Sequence, residues 1–241
     1  VSKGIIDLLG EAEEAARRME RRSGVLGAAN ELRLREHYHV LTHQQVIAGN
    51  VRIALSRLAA SAERAYKQKI ITDPPASTAV RQLTAACSDL KTAVSGCETA
   101  GHLVNNVIDK DTSPAGRGRT SYLLVTSDKC SAATNALAEG PAWPVDISTA
   151  QFWSMVAGYF ERMLGAMAAT LTNEAVIVSR AFSERTAGCD GGPSAEAMRS
   201  AAAEIKIAVS RVTAAGADLG RSAPPAEARP FAVNGLRGFG N

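Results

Sequence analysis

The sequence predicts an all-α protein: an elongated antiparallel helical bundle, about three helices thick, with a small disulfide-stapled subdomain. Three observations predict it. Alanine makes up roughly 18% of the 241 residues, about twice its usual share. Alanine is the best helix former and the smallest core residue, so it suits helices that approach closely. Aromatic residues are only 5% of the chain, and the β-branched and aromatic runs of a sandwich or barrel are missing. Finally, apolar residues recur at steps of three and four over long proline-free stretches, with no strand alternating with the helices.

The first predicted helix runs from Ile5 to about Ile70 without a proline. Its apolar positions are Ile5, Leu8, Ala12, Ala15, Met19, Leu26 and Ala29. A heptad-like seam follows at Ile47, Val51, Ala54, Leu58, Ser61 and Ala65. Unbroken, such a helix spans roughly 100 Å. The molecule is therefore a rod, or the helix breaks near Ser23-Gly24 or Gly49-Asn50, where glycine costs about 1 kcal/mol. Thr72-Asp73-Pro74-Pro75-Ala76-Ser77 is a stop, a turn and a new helix start.

A second helix covers about Thr78 to Ile108, with Leu83, Cys87, Leu90, Val94 and Cys97 facing inward. A polar loop follows at 109–119, then a third helix from about Thr120 to Glu139. Gly140-Pro141-Ala142-Trp143-Pro144 ends it, with Trp143 expected as a packed cap. The fourth helix, from Ser148 to about Thr186, carries a core stripe of Phe152, Trp153, Val156, Phe160, Met163, Met167 and Leu171. The fifth runs from Ser194 to about Leu219, apolar at Met198, Ala201, Ile205, Val209, Val212 and Ala215. One domain over 1–220 is expected, with a loop-rich subdomain at 109–147 and a flexible tail at 221–241. Five alternating helices place the two chain termini at opposite ends.

Net charge is +3, with 27 basic and 24 acidic side chains. No stretch concentrates Lys and Arg with aromatics, which argues against nucleic-acid binding. Arg17-Arg18-Met19-Glu20-Arg21-Arg22 follows Glu11, Glu13 and Glu14, and reads as a solvated face with i,i+4 pairs. No apolar run is long enough for a transmembrane helix. The start at Val1 reads as a mature or trimmed chain.

The four cysteines, Cys87, Cys97, Cys130 and Cys189, form no CxxC and no zinc spacing. An even count at wide spacing fits two disulfides in an oxidising compartment. Cys87 and Cys97 share a predicted helix roughly 15 Å apart, too far to bond each other. Each therefore pairs with Cys130 or Cys189, and four buried free thiols are the alternative. His37, His39 and His43 flank Tyr38, and His39 and His43 share a helix face at i,i+4. The segment lacks the Glu of a zinc protease and an evident third ligand, so a polar contact patch is the expectation, with no metal or cofactor held by the chain. No nucleophile elbow, P-loop or dinucleotide fingerprint is present, so no enzyme is expected.

Several blocks carry a resemblance. They are Ser23-Gly24-Val25-Leu26-Gly27 followed by His37 and His43, the stretch from Gly116 to Asp128-Lys129-Cys130-Ser131, and Ala201-Ala202-Ala203-Glu204-Ile205. With the Ala-rich helices and the tail, the chain resembles trypanosome helical-bundle surface glycoproteins. Within that group it is most similar to the haptoglobin–haemoglobin receptors. The chain departs from them in having no cysteine before Cys87, and from the acidic Glu/Ala-rich coat proteins in being basic. The resemblance implies a cell-surface receptor with a C-terminal GPI anchor that binds haemoglobin, possibly with haptoglobin, for haem uptake. It implies contact through Ser23, Gly24, Gly27, Asn30, Arg33, His37, Tyr38 and His43, at a membrane-distal site. Haem would arrive with the ligand. A structural coat glycoprotein with no soluble ligand is the alternative, and a cytosolic adaptor or secretion-system bundle a third reading.

Overall fold

Helix-forming composition becomes helix packing in the computed structural model, which describes residues 4–28, 34–108, 122–140, 150–185 and 191–222. The described elements are all helices: α1 (Ile5–Ala28), α2 (Leu34–Lys67), α3 (Pro75–Ile108), α4 (Tyr122–Glu139), α5 (Ala150–Arg185) and α6 (Gly192–Arg221). Among the described residues six helices stand where the sequence predicts five, because the first predicted helix is two. Neither suggested break is used: Ser23-Gly24 and Gly49-Asn50 lie inside continuous helix. One described helix ends at Ala28 and the next begins at Leu34, and residues 29–33 lie outside the described residues. Folding back gives the Ile5, Leu8, Ala12 and Met19 stripe of α1 a surface to bury against, which a single rod could not. The 100 Å rod is therefore replaced by a bundle about 50 Å long, the length of its 34-residue helices.

The helices form two layers of three. In one, α2 lies between α3 and α4; in the other, α5 lies between α6 and α1. Across the layers α3 packs on α6 and α4 on α1, while α2 and α5 face each other more loosely at the centre. The bundle is three helices wide and two deep. One buried apolar cluster runs through all six helices. The sequence seam Ile47, Val51, Ala54, Leu58, Ser61 and Ala65 is wholly buried, as are Trp153, Phe160, Met163 and Leu171 of α5.

Side-chain contacts fix the directions. His43 meets Ser127 and Arg57 reaches the carbonyls of Ala138 and Gly140, so α2 and α4 are parallel. Glu13 pairs with Arg162 and Ser23 with Asn173, so α1 and α5 are parallel. Leu8 lies beside Gly140, which sets α1 antiparallel to α4. Consecutive helices thus alternate, and the even number puts Ile5 and Ser222 at one end. This corrects the expectation of opposite ends. That end, the base, also holds the α2–α3 turn, where the Thr72 amide donates to the Ser222 carbonyl at 2.7 Å. The other end, the tip, holds the end of α1 and the start of α2. Segments 109–119 and 140–147 join opposite ends of α4, which its 18 residues set about 27 Å apart. Apart from Gly140, residues 109–121 and 141–149 lie outside the described residues, as do Trp143 and the tail from 223.

The expected disulfide framework is not formed among the described residues. Cys87, Cys97 and Cys130 are free thiols, and Cys189 lies outside the described set. The reason is topological: α2 stands between α3, with Cys87 and Cys97, and α4, with Cys130. Burial pushes the Cys97 and Cys130 thiols up to about 12, so they act as small apolar fillers. Alkylation in denaturant without reductant should label all three on every molecule. Recovery of any of them as a disulfide-linked peptide would contradict this packing.

Close approach is sharpest between α5 and α6. A Cβ added at Gly216 would lie 2.6 Å from the Ala157 Cβ, whereas one added at Gly165 meets nothing within 4 Å. Gly216→Ala should therefore cost about 1–3 kcal/mol through forced separation of the helices. Gly165→Ala should gain about 0.5–1 kcal/mol from lower chain entropy. Thermal melts of the two variants should move in opposite directions.

Candidate functional site

The eight expected contact residues divide by burial and position. Ser23 is fully buried and does not face solvent: its hydroxyl donates to the Glu20 carbonyl at 3.0 Å and accepts from the Asn173 amide at 3.1 Å. Gly24 is exposed beside that pair. Gly27 lies in the last turn of α1, and Asn30 and Arg33 lie outside the described residues. Tyr38 is half-buried and leans toward Gly101 of α3, with its ring tilted against His39 at 5.5 Å. His43 is partly exposed between α2 and α4, 2.8 Å from the Ser127 hydroxyl and 3.3 Å from Asp128.

His37 corrects the surface expectation most clearly. It is 3% exposed, and its Nδ1 lies 2.6 Å from Oε2 of the fully buried Glu174 on α5. Burial disfavours its charged form, but the attraction and hydrogen bond of Glu174, with Glu36 beyond, outweigh that and raise its pKa above the ordinary value. The pair bridges the loosely apposed central helices near the tip. The sequence reading missed Glu174, although a signal exists. It is the sole acidic residue between Glu161 and Glu184, and it continues the core spacing Phe160, Met163, Met167, Leu171. A carboxylate on an apolar stripe needs a buried partner.

Glu13 and Glu14 also part company. Glu14 faces solvent and takes Arg18 and Arg21 on one oxygen at 2.8 and 3.1 Å. The Arg18 hydrogen bond, foremost, holds its carboxyl below the usual range. Glu13, expected on the exposed face, is buried against α5 in a two-pronged pair with Arg162 at 2.8 and 2.9 Å. Arg162 in turn lies over the Tyr159 ring, 5.0 Å from its centre.

Between these parts lies an open groove of about 1190 Å³ along α1 and the adjoining start of α4. Toward the tip it is lined by Arg18, Arg21, Arg22, Val25, Val125 and Lys129, and toward the base by Asp7 and Glu11. Val25 is 64% exposed there. The tip half is thus a basic surface with apolar patches, suited to contact with a macromolecule. Among the described residues no cluster of three or more His, Cys, Asp or Glu could hold a metal ion. No described helix is long and apolar enough to cross a membrane. No protein-family model matches the chain, and no curated protein or solved structure matches it either.

The His37–Glu174 pair makes stability depend on pH. A raised folded-state pKa contributes stability fully below the unfolded value of about 6.5, and the contribution is lost as pH rises through the folded pKa. The melting temperature of the wild type, relative to His37→Gln, should therefore fall as pH rises above about 6.5. His37→Ala should cost about 3–5 kcal/mol where the pair is charged, because Glu174 is left buried and unpaired. A wild-type minus His37→Gln difference that stays flat from acid to mildly alkaline pH would refute the charged pair.

Proposed function

We propose that the chain is a cell-surface receptor of the trypanosome helical-bundle type, capturing haemoglobin, alone or with haptoglobin, for haem uptake. It acts by protein–protein contact, without catalysis and without a cofactor of its own. One observation carries the reading. Two blocks that carry the resemblance, the first of them holding the contact residues it implies, meet near the tip, where His43 contacts Ser127 across 84 positions of sequence. Beside them lie Val25, Arg22 and Lys129 at the mouth of the groove. In this reading a C-terminal lipid anchor follows Ser222 at the base, so the membrane lies at the end away from the site. The revised contact set is Gly24, Val25, Arg22, His43, Asp128 and Lys129. Ser23 and His37 act beneath it as supports.

The second reading is a shielding coat protein. The solvent face of α1, with Glu11, Glu14, Arg18 and Arg21, is charged, and Arg18 and Arg21 are engaged by Glu14. Away from Val25 such a face has little apolar surface to offer a ligand.

Titration of the immobilised chain with haemoglobin, with and without haptoglobin, and with apo-haemoglobin, separates the two. The receptor reading expects saturable binding at micromolar concentration or tighter. It expects Lys129→Glu and His43→Ala each to weaken binding by about tenfold, the scale of a moderate interface contact. Arg199→Glu, exposed near the start of α6, should leave it unchanged. Absence of binding at high micromolar haemoglobin would leave the coat reading.

A further inference from the structure

The outer face of α2 carries a second seam. α3 and α4 flank this helix and α5 lies beneath it, so its fourth side is the centre of the broad face of one layer. Six positions on that side, Thr42, Val46, Gly49, Ile53, Ser56 and Ala60, recur at alternating steps of four and three. That is the a/d spacing of a coiled-coil seam. All are exposed except half-exposed Gly49, and none is charged. They lie on the side of the helix opposite the buried seam of Ile47, Val51, Ala54 and Leu58. Val46 and Ile53 are each 44% exposed, large for solvent-facing positions of a packed helix. The next positions in the same register are His39 at one end and Glu63 at the other, both exposed.

We propose that this face binds a second copy of the chain, through an antiparallel α2–α2 pair on a two-fold axis beside Val51. The register is symmetric about that residue. It sets Gly49 of one copy opposite Ile53 of the other, Val46 opposite Ser56, and Thr42 opposite Ala60. Ile53 is then the knob, and the hole is the open space over Gly49, where an added Cβ meets nothing within 4 Å. The same register brings His39 opposite Glu63 at both ends of the seam, an acid against a base. Arg52 falls on the same flank as Arg52 of the other copy, at the rim of the seam, where water screens the two charges. A parallel pair has no such match at its ends, since it sets Glu63 against Glu63 and His39 against His39. Charge therefore selects the antiparallel arrangement.

Size is adequate as well. The seam from Thr42 to Ala60 with its ends is about 30 Å long, and three helices spaced about 9 Å apart make the face about 27 Å wide. That is about 800 Å² per partner, the standard for a stable interface. The pairing leaves the groove along α1 open at the side of the bundle, while its edge reaches His43 and Asp128 between α2 and α4.

The test is the solution mass of the whole chain by sedimentation equilibrium, from about 1 to 100 µM. The expected result is a species of twice 25.2 kDa. Ile53→Lys should convert it to monomer with its helical circular dichroism and melting temperature kept, because Ile53 faces solvent in the single copy. His39→Glu should weaken the dimer at least tenfold, and adding Glu63→Lys should restore it. Chains carrying Val46→Cys, mixed with chains carrying Ser56→Cys and oxidised, should cross-link to one another rather than to themselves. A monomer at about 100 µM would overturn the proposal. So would a dimer indifferent to Ile53→Lys, or self-cross-linking of Val46→Cys, which marks the parallel pair.

Discussion

Close approach of helix backbones is the constraint on which the rest of the bundle depends. Gly216 lies against Ala157 between α5 and α6, and Gly96 against Ala201 between α3 and α6. Alanines at Ala54, Ala62, Ala86, Ala93, Ala208 and Ala215 keep the other crossings small. Dispersion falls off steeply with distance, so short side chains stabilise a core only if the helices draw together. Six helices cannot all do so in a two-by-three array. The looser centre, between α2 and α5, is where the large side chains Trp153, Phe160, Met163 and Met167 are buried. An alanine-rich rim around a bulky middle explains how a chain with so few aromatic residues builds a continuous core.

The same loose centre accommodates the buried polar pair near the tip. His37 and Glu174 link the two middle helices across the layers. A buried ion pair is weak as a source of stability compared with an apolar pair of the same shape, but it tolerates only one register. It therefore fixes how α2 sits over α5. Through α2 it fixes the position of His43 beside α4. Glu13 and Arg162 hold α1 on α5 in the same manner from the other side. The tip surface is thus set by one buried pair, His37 with Glu174, and by a second in which Glu13 is buried and Arg162 is exposed. An exposed surface on stiff helices loses little entropy when a partner binds, which suits the proposed role in capturing a protein ligand.

Much of the helical content was legible in the chain because it rests on local rules. The α2–α3 turn at Thr72–Ser77, the core face of α5 and the heptad seam of α2 follow from proline, capping and spacing, and each is where the sequence puts it. The division of the first predicted helix was not legible at its true position. Glycines mark places where a helix is weakened, but whether it breaks depends on what the two halves can bury against. The free thiols escape a sequence reading for a related reason: spacing along the chain says which cysteines can reach each other only when they share a helix. Of the expected site residues, His43 and Gly24 lie at the surface, while Ser23 and His37 turn inward. Helical periodicity assigns a residue to a face, and only the neighbours decide whether that face is covered.

By itself, then, the sequence determined that the protein is all-helical, where most helices start and stop, and which stripe of each is apolar. Those properties depend on residues within one or two turns of each other. The tertiary structure decided the number of helices, their two-layer order, and the shared end of Ile5 and Ser222. It also decided which polar residues are buried together. Each of these depends on pairs of segments far apart in the chain, such as His37 with Glu174 at a separation of 137 residues. No local pattern records that distance, because what fixes it is the space the other helices leave.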